Sequence, residues 1–138
     1  MNAVVSSAVN PGYPVHVEVH VAPGLPGLDV IGWPGGRVRE LRDRVRAAVL
    51  TSGYDWPQRR ITVSVAPAIT PTRRGVAGLD LAIAAGILAA SEQIELPDRG
   101  YLGELGLDGA VRPFYGLWQC LPACPSAEPF PAHLKELR

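Results

Sequence analysis

From Val15 to Val21 the chain alternates strictly, with Val15, Val17, Val19 and Val21 on one side and His16, Glu18 and His20 on the other. That two-residue period predicts a strand half buried against a core. After the turn-rich Ala22–Gly27, Leu28–Gly32 reads as a short second strand, the hairpin partner of the first. From Arg37 to about Ser52 the apolar residues Val38, Leu41, Val45, Ala48 and Val49 fall at helical spacing, with arginines on the other faces and Gly53 as the stop. Arg60–Val65 predicts a third strand. Leu79–Ala90 is apolar nearly all round and predicts a buried central helix, with Asp80 in its first turn, where a carboxylate suits the helix dipole. Tyr101–Leu105 and Leu107–Arg112 predict a strand pair turning at Asp108-Gly109. After Gly116 no usable periodicity remains. Strands, helix, strand, helix and strands in that order predict a two-layer α/β domain.

The chain's 138 residues, 47% hydrophobic and 19% charged, suit one soluble domain with a single core. No apolar run approaches the ~18–20 residues needed to cross a bilayer, and the first ten residues lack the basic stretch of a signal peptide. No membrane association and a cytoplasmic location are expected. Cys120 and Cys124, in a proline-rich stretch without a companion histidine cluster, read as ordinary thiols.

Charge changes the picture more than composition does. Net charge is zero, yet residues 37–74 hold nine of the twelve arginines against Glu40, Asp43 and Asp55, while the segments on either side are acidic. The candidate nucleic-acid-binding residues are therefore Arg37, Arg44, Arg46, Arg59, Arg60, Arg73 and Arg74, since guanidinium forks bind phosphates bidentately without reading sequence. The competing interpretation is a solvated helix face in which Glu40 pairs with Arg44, and Asp43 with Arg39 or Arg46. Trp33, Tyr54 and Trp56 flank this region, available either to stack on bases or to pack.

Other chemistry is poorly served. A P-loop needs G-x-x-x-x-G-K-[ST], and the single lysine is Lys135, so ATP hydrolysis by that mechanism is excluded for this chain alone. His16, Glu18 and His20 form H-x-E-x-H on a strand, where same-face neighbours lie ~6.5–7 Å apart, so only adjacent pairs could share a metal, and the three read as the wet face of a half-buried strand. Asp80 and Glu104 read as a helix-start carboxylate and a strand-end residue rather than a catalytic pair. No metal and no cofactor are called for.

The blocks V-H-V-E-V-H-V (Val15–Val21), R-V-R-A-A-V-L-T-S-G-Y-D-W-P-Q-R-R-I-T-V-S-V-A-P-A (Arg44–Ala68), G-L-D-L-A-I-A-A-G-I-L-A-A (Gly78–Ala90) and Y-L-G-E-L-G-L-D-G-A-V-R-P (Tyr101–Pro113) together resemble the N-terminal domain of the ComM/YifB family, often labelled magnesium-chelatase-like. The resemblance implies a Lon-protease-like fold, shared with a ribosomal-protein domain, in which a mixed sheet packs against two main helices. It also implies a division into a lead segment (1–14), the Lon-like domain (15–116) and a divergent tail (117–138). In that family the domain precedes an AAA+ ATPase that drives DNA branch migration in natural transformation. Lon-like proteases use a serine–lysine dyad; matched to this chain, Gly78 stands at the serine and Cys120 at the lysine, so neither role is filled. Departures from the family include Gly35-Gly36, Leu41, the basic Arg73-Arg74-Gly75 turn and the proline-rich tail, whose loss of a helix would expose core residues. The expected function is a non-catalytic accessory domain that associates with itself or with an AAA+ ATPase and contacts DNA through its basic face. The alternatives are a stand-alone nucleic-acid-binding module or a hydrolase using Ser64 or Cys120.

Overall fold

Two valine-rich segments dictate the centre of the sheet. In a computed structural model, which describes residues 1–9, 13–33, 37–66, 78–95, 100–113, 120 and 133–137, the alternating segment is strand β2 (Tyr13–Ala22). β1 (Asn2–Val9) and β4 (Arg60–Ala66) flank it, both antiparallel, and β3 (Gly27–Ile31) closes the order β1-β2-β4-β3. The sequence places no element before Val15, but a strand forms there because Val5 pairs with Val17 and both are buried.

The hairpin expected between β2 and β3 does not form. β3 runs parallel to β4, and α1 (Val38–Thr51) is the crossover between them. A parallel pair needs such a helical connection, and strand–helix–strand supplies it here.

Both helices cover one face of the sheet. Val5, Val17, Val19, Val21, Ile61, Val63 and Val65 point to that face and join one core with α1 and α2 (Asp80–Ala90). Gly86 lets α2 sit close to the sheet, since a Cβ there would lie 2.6 Å from a methyl of Val19. The two-layer α/β expectation, a mixed sheet against two helices, is thus what the structure shows. Among the described residues no helix is long and apolar enough to cross a membrane.

A hairpin of β5 (Glu104–Leu105) and β6 (Val111–Arg112) packs beside the helices, its turn held by the Ala110 N–H donating to the Asp108 carboxylate. That hydrogen bond holds the Asp108 carboxyl below its usual range. The last described piece, a 3₁₀ turn (Leu134–Leu137), lies where no element is expected and buries Leu134 and Leu137. The Leu134 N–H donates to the Gly109 carbonyl at 2.8 Å. His133 clasps the turn: its Nε2–H donates to the Asp108 carbonyl and its Nδ1 accepts from the Lys135 N–H. So part of the C-terminal region, far from leaving the core bare, covers it.

The helices end differently. α1 stops at Gly53, whose φ of +88° suits the left-handed residue after a helix; α2 stops at Glu92, which takes the same position at φ +63°. A Cβ in that region costs roughly 1 kcal/mol. Glu92→Gly is therefore expected to raise the thermal midpoint by about 3 °C, less whatever the freer unfolded chain gives back. A lowered midpoint in a calorimetric scan would show that the Glu92 side chain matters more than its backbone.

Candidate functional site

The arginine-rich helix α1 is built with Leu41, Val45, Ala48 and Val49 inward, so its remaining positions must carry the charge. They do not carry it alike. Arg39 and Arg46 are seven residues apart and share the exposed face opposite the core. Arg37 opens the helix, and Arg42 pairs with the adjacent Asp43 at 3.3 Å, where Arg39 or Arg46 was the expected partner.

Arg44 turns the other way. Only about a third exposed, it reaches Asp80 at 3.3 Å and Glu104 at 3.8 Å, while Glu40 approaches at 3.6 Å as the helical spacing predicts. One guanidinium therefore ties α1 to the first turn of α2 and to β5. Asp80, the helix-start carboxylate of the sequence reading, does open α2, and it is buried. Burial raises its pKa from an ordinary 3.8 to about 6, and the nearby Arg44 charge only partly offsets this. Asp80 and Glu104 do converge, both on the Arg44 guanidinium. A shallow cleft of about 510 Å³ lies beside this cluster, lined by Arg39, Glu40, Asp43, Arg44 and Leu107.

The other nominated arginines are dispersed. Arg60, at the start of β4, is paired with Asp29 of β3. Arg59 lines a second depression with Asp55, Ser91 and Gln93, near the end of α2. Arg73 and Arg74 lie outside the described residues, as does Cys124. Among the described residues, Arg37, Arg39, Arg46 and Arg59 have no carboxylate within ion-pair distance.

The aromatic residues settle into packing: Trp33 and Tyr54 are buried, and Trp56 rests partly buried against the core. His16, Glu18 and His20 share the exposed sheet face, where His20 is hydrogen-bonded to Asn2. Among the described residues no three His, Cys, Asp or Glu side chains gather as a metal site. Gly78, which the family resemblance sets at the protease serine, has φ +89°, a conformation a serine would adopt only under strain. Cys120, at the lysine position, is buried, and Ser64 is half-buried on the open sheet face.

Residues 17–128 match the family described as subunit ChlI of Mg-chelatase, which is most of the chain. The chain belongs to this family. The chain is 48% identical to the YifB protein of Escherichia coli (strain K12) over 102 residues, covering 72% of this chain and 20% of that protein. It is 40% identical to the competence protein ComM of Haemophilus influenzae (strain ATCC 51907 / DSM 11121 / KW20 / Rd) over 117 residues, covering 83% and 22% respectively. The DNA repair protein RadA of Brucella abortus (strain 2308) is 37% identical over 107 residues, covering 72% and 21%. This member of the ChlI family spans about a fifth of the length of the curated relatives it matches. The resemblance to ComM and YifB carried by the sequence blocks is thereby shown.

The Arg44 cluster is what sequence reading missed. Arg44 and Asp80 are 36 residues apart, and no local pattern links them. The available signal was an acid opening a helix that is otherwise apolar on every side.

Proposed function

We propose that this chain is a non-catalytic accessory and assembly domain of a ComM/YifB-type ATPase concerned with DNA processing in natural transformation, and that it contacts DNA through the outer arginines of α1. The observation carrying this reading is that one segment of about a hundred residues recurs in longer proteins named for competence and for DNA repair. The φ of Gly78 supports the non-catalytic part, because a nucleophile there would need a strained backbone. Arg44 and Arg60 already have carboxylate partners, so phosphate contact falls to Arg37, Arg39, Arg46 and Arg59, with Arg73 and Arg74 as further candidates.

Each phosphate neutralised on a duplex contributes about 0.9 to the slope of log affinity against log salt. Arg39→Ala with Arg46→Ala is expected to weaken binding to any DNA sequence and to lower that slope by nearly 2. Arg60→Ala is expected to leave it unchanged. Fluorescence anisotropy from low to moderate salt checks this; no binding at low salt would remove the DNA role. ATP turnover by the purified chain would overturn the non-catalytic assignment.

A further inference from the structure

The helices cover one face of the four-stranded sheet, and its other face reads as complementary to itself. The strand registers define rows that cross all four strands. One row runs Val4, Glu18, Ser64, Ile31, and the next Asn2, His20, Thr62, Asp29. Paired residues in a sheet project from the same face, so both rows line the face opposite the core. Val4 and Ile31 are each 60% exposed, two branched apolar side chains held in water at the two ends of one row.

Reversed, the first row reads Ile31, Ser64, Glu18, Val4. A second copy turned about a two-fold axis that runs parallel to the strands, between β2 and β4, would set Val4 against Ile31 and Glu18 against Ser64, each contact occurring twice. In the second row the same operation sets Asn2 against Asp29 and His20 against Thr62. Apolar meets apolar at the ends, and a hydroxyl or amide donor meets each carboxylate. Glu18 and Ser64 lie next to the axis, where sheet twist displaces facing residues least. Such a self-matching patch is what an isologous contact requires.

The geometry points to this face as the surface on which the chain pairs with a second copy of itself, sheet against sheet. The face carries little net charge to oppose this, because its Arg60 is already neutralised by Asp29. Its extent, four strands ~4.8 Å apart and roughly 20 Å long, gives about 400 Å² per copy, under the ~1,000 Å² in total that a stable interface buries and in the range of weak, transient contacts. The dimer is accordingly weak and depends on concentration. The inference rests on the assembly role proposed above and is independent of DNA contact.

A double variant, Val4→Cys with Ile31→Cys, tests it. Within one chain these positions stand at opposite edges of the sheet, about 14 Å apart, beyond the ~7 Å reach of a disulfide. Under mild oxidation the double variant is expected to give a covalent dimer on a non-reducing gel. Neither single variant should, since Val4 does not face Val4, and this control absorbs any contribution from Cys120 and Cys124. In sedimentation, Ser64→Glu, which sets a second carboxylate against Glu18, is expected to weaken association at least tenfold. Ser64→Lys is expected to tighten it severalfold, a reversal that loss of folding would not produce. No cross-link in the double variant, equal cross-linking by the single variants, or the same response to Glu and Lys at position 64 would overturn the interface. A monomer that still binds DNA would sink this inference and leave the α1 reading standing.

Discussion

Arg44→Ala is expected to cost the domain about 3–5 kcal/mol of folding stability, because it strands the buried Asp80 carboxylate without its counter-ion. The cost comes from the acid that remains, not from the arginine removed. Adding Asp80→Asn to Arg44→Ala is therefore expected to recover most of it, an interaction that a double-mutant cycle in urea would measure. A loss under 1 kcal/mol, or one that Asp80→Asn leaves untouched, would show that this pairing is not what holds α1, α2 and β5 together. The same residue sets a pH dependence. Because burial raises the Asp80 pKa from 3.8 to about 6, the folded state binds its proton more tightly than the unfolded chain does. Ionising it costs on the order of 3 kcal/mol. That cost is absent below about pH 4, grows as pH rises and is complete above about pH 6, so acidification from neutrality to pH 5 should stabilise the protein. Asp108 pulls the opposite way, its carboxyl being held below its usual range. The difference between wild type and Asp80→Asn across pH isolates the Asp80 contribution, and that difference should shrink as pH falls.

Leu134→Ala is expected to destabilise the domain by about 2–5 kcal/mol, the usual range for removing a fully buried leucine. Its backbone is fixed by the bond to Gly109, and its carbonyl accepts a hydrogen bond from the Tyr54 hydroxyl at 3.3 Å, so the surroundings have little freedom to close the cavity. Leu107→Ala, on the exposed tip of the β5–β6 turn, should change stability by no more than about 0.5 kcal/mol. Denaturant midpoints of the two variants provide the comparison. Equal, small effects would mean that the 3₁₀ turn rests on the domain without supporting it. The outcome bears on how the chain's last residues are understood: four prolines between Leu117 and His133 and no periodicity suggested a tail, whereas Leu134 and Leu137 act as core.

Much of the architecture was legible because it depends on short-range periodicity. The valine alternation places β2, the spacing of Leu41, Val45, Ala48 and Val49 gives α1, and the apolar run after Asp80 gives α2. The motif blocks likewise carry the family resemblance within the sequence alone. The hairpin partner of β2 was misread because adjacency in sequence favoured β3, whereas the crossover through α1 carries β3 to the far side of β4. β1 was missed because Asn2–Val9 lacks a strict alternation and draws its stability from Val17 and Val19 beside it.

The candidate site divides along the same line. The sequence by itself determined that arginines crowd one third of the chain and that its single lysine, Lys135, forms no P-loop, while the resemblance to Lon-like proteases set Gly78 at the serine position. Only the tertiary structure decided which arginines face solvent, that Arg44 is committed to Asp80 and Glu104, and which residues the strand registers align in rows across the open sheet. Composition and spacing are properties of neighbours along the chain. Ion pairing, burial and surface complementarity are properties of neighbours in space, which for Arg44 and Asp80 lie 36 residues apart in the chain.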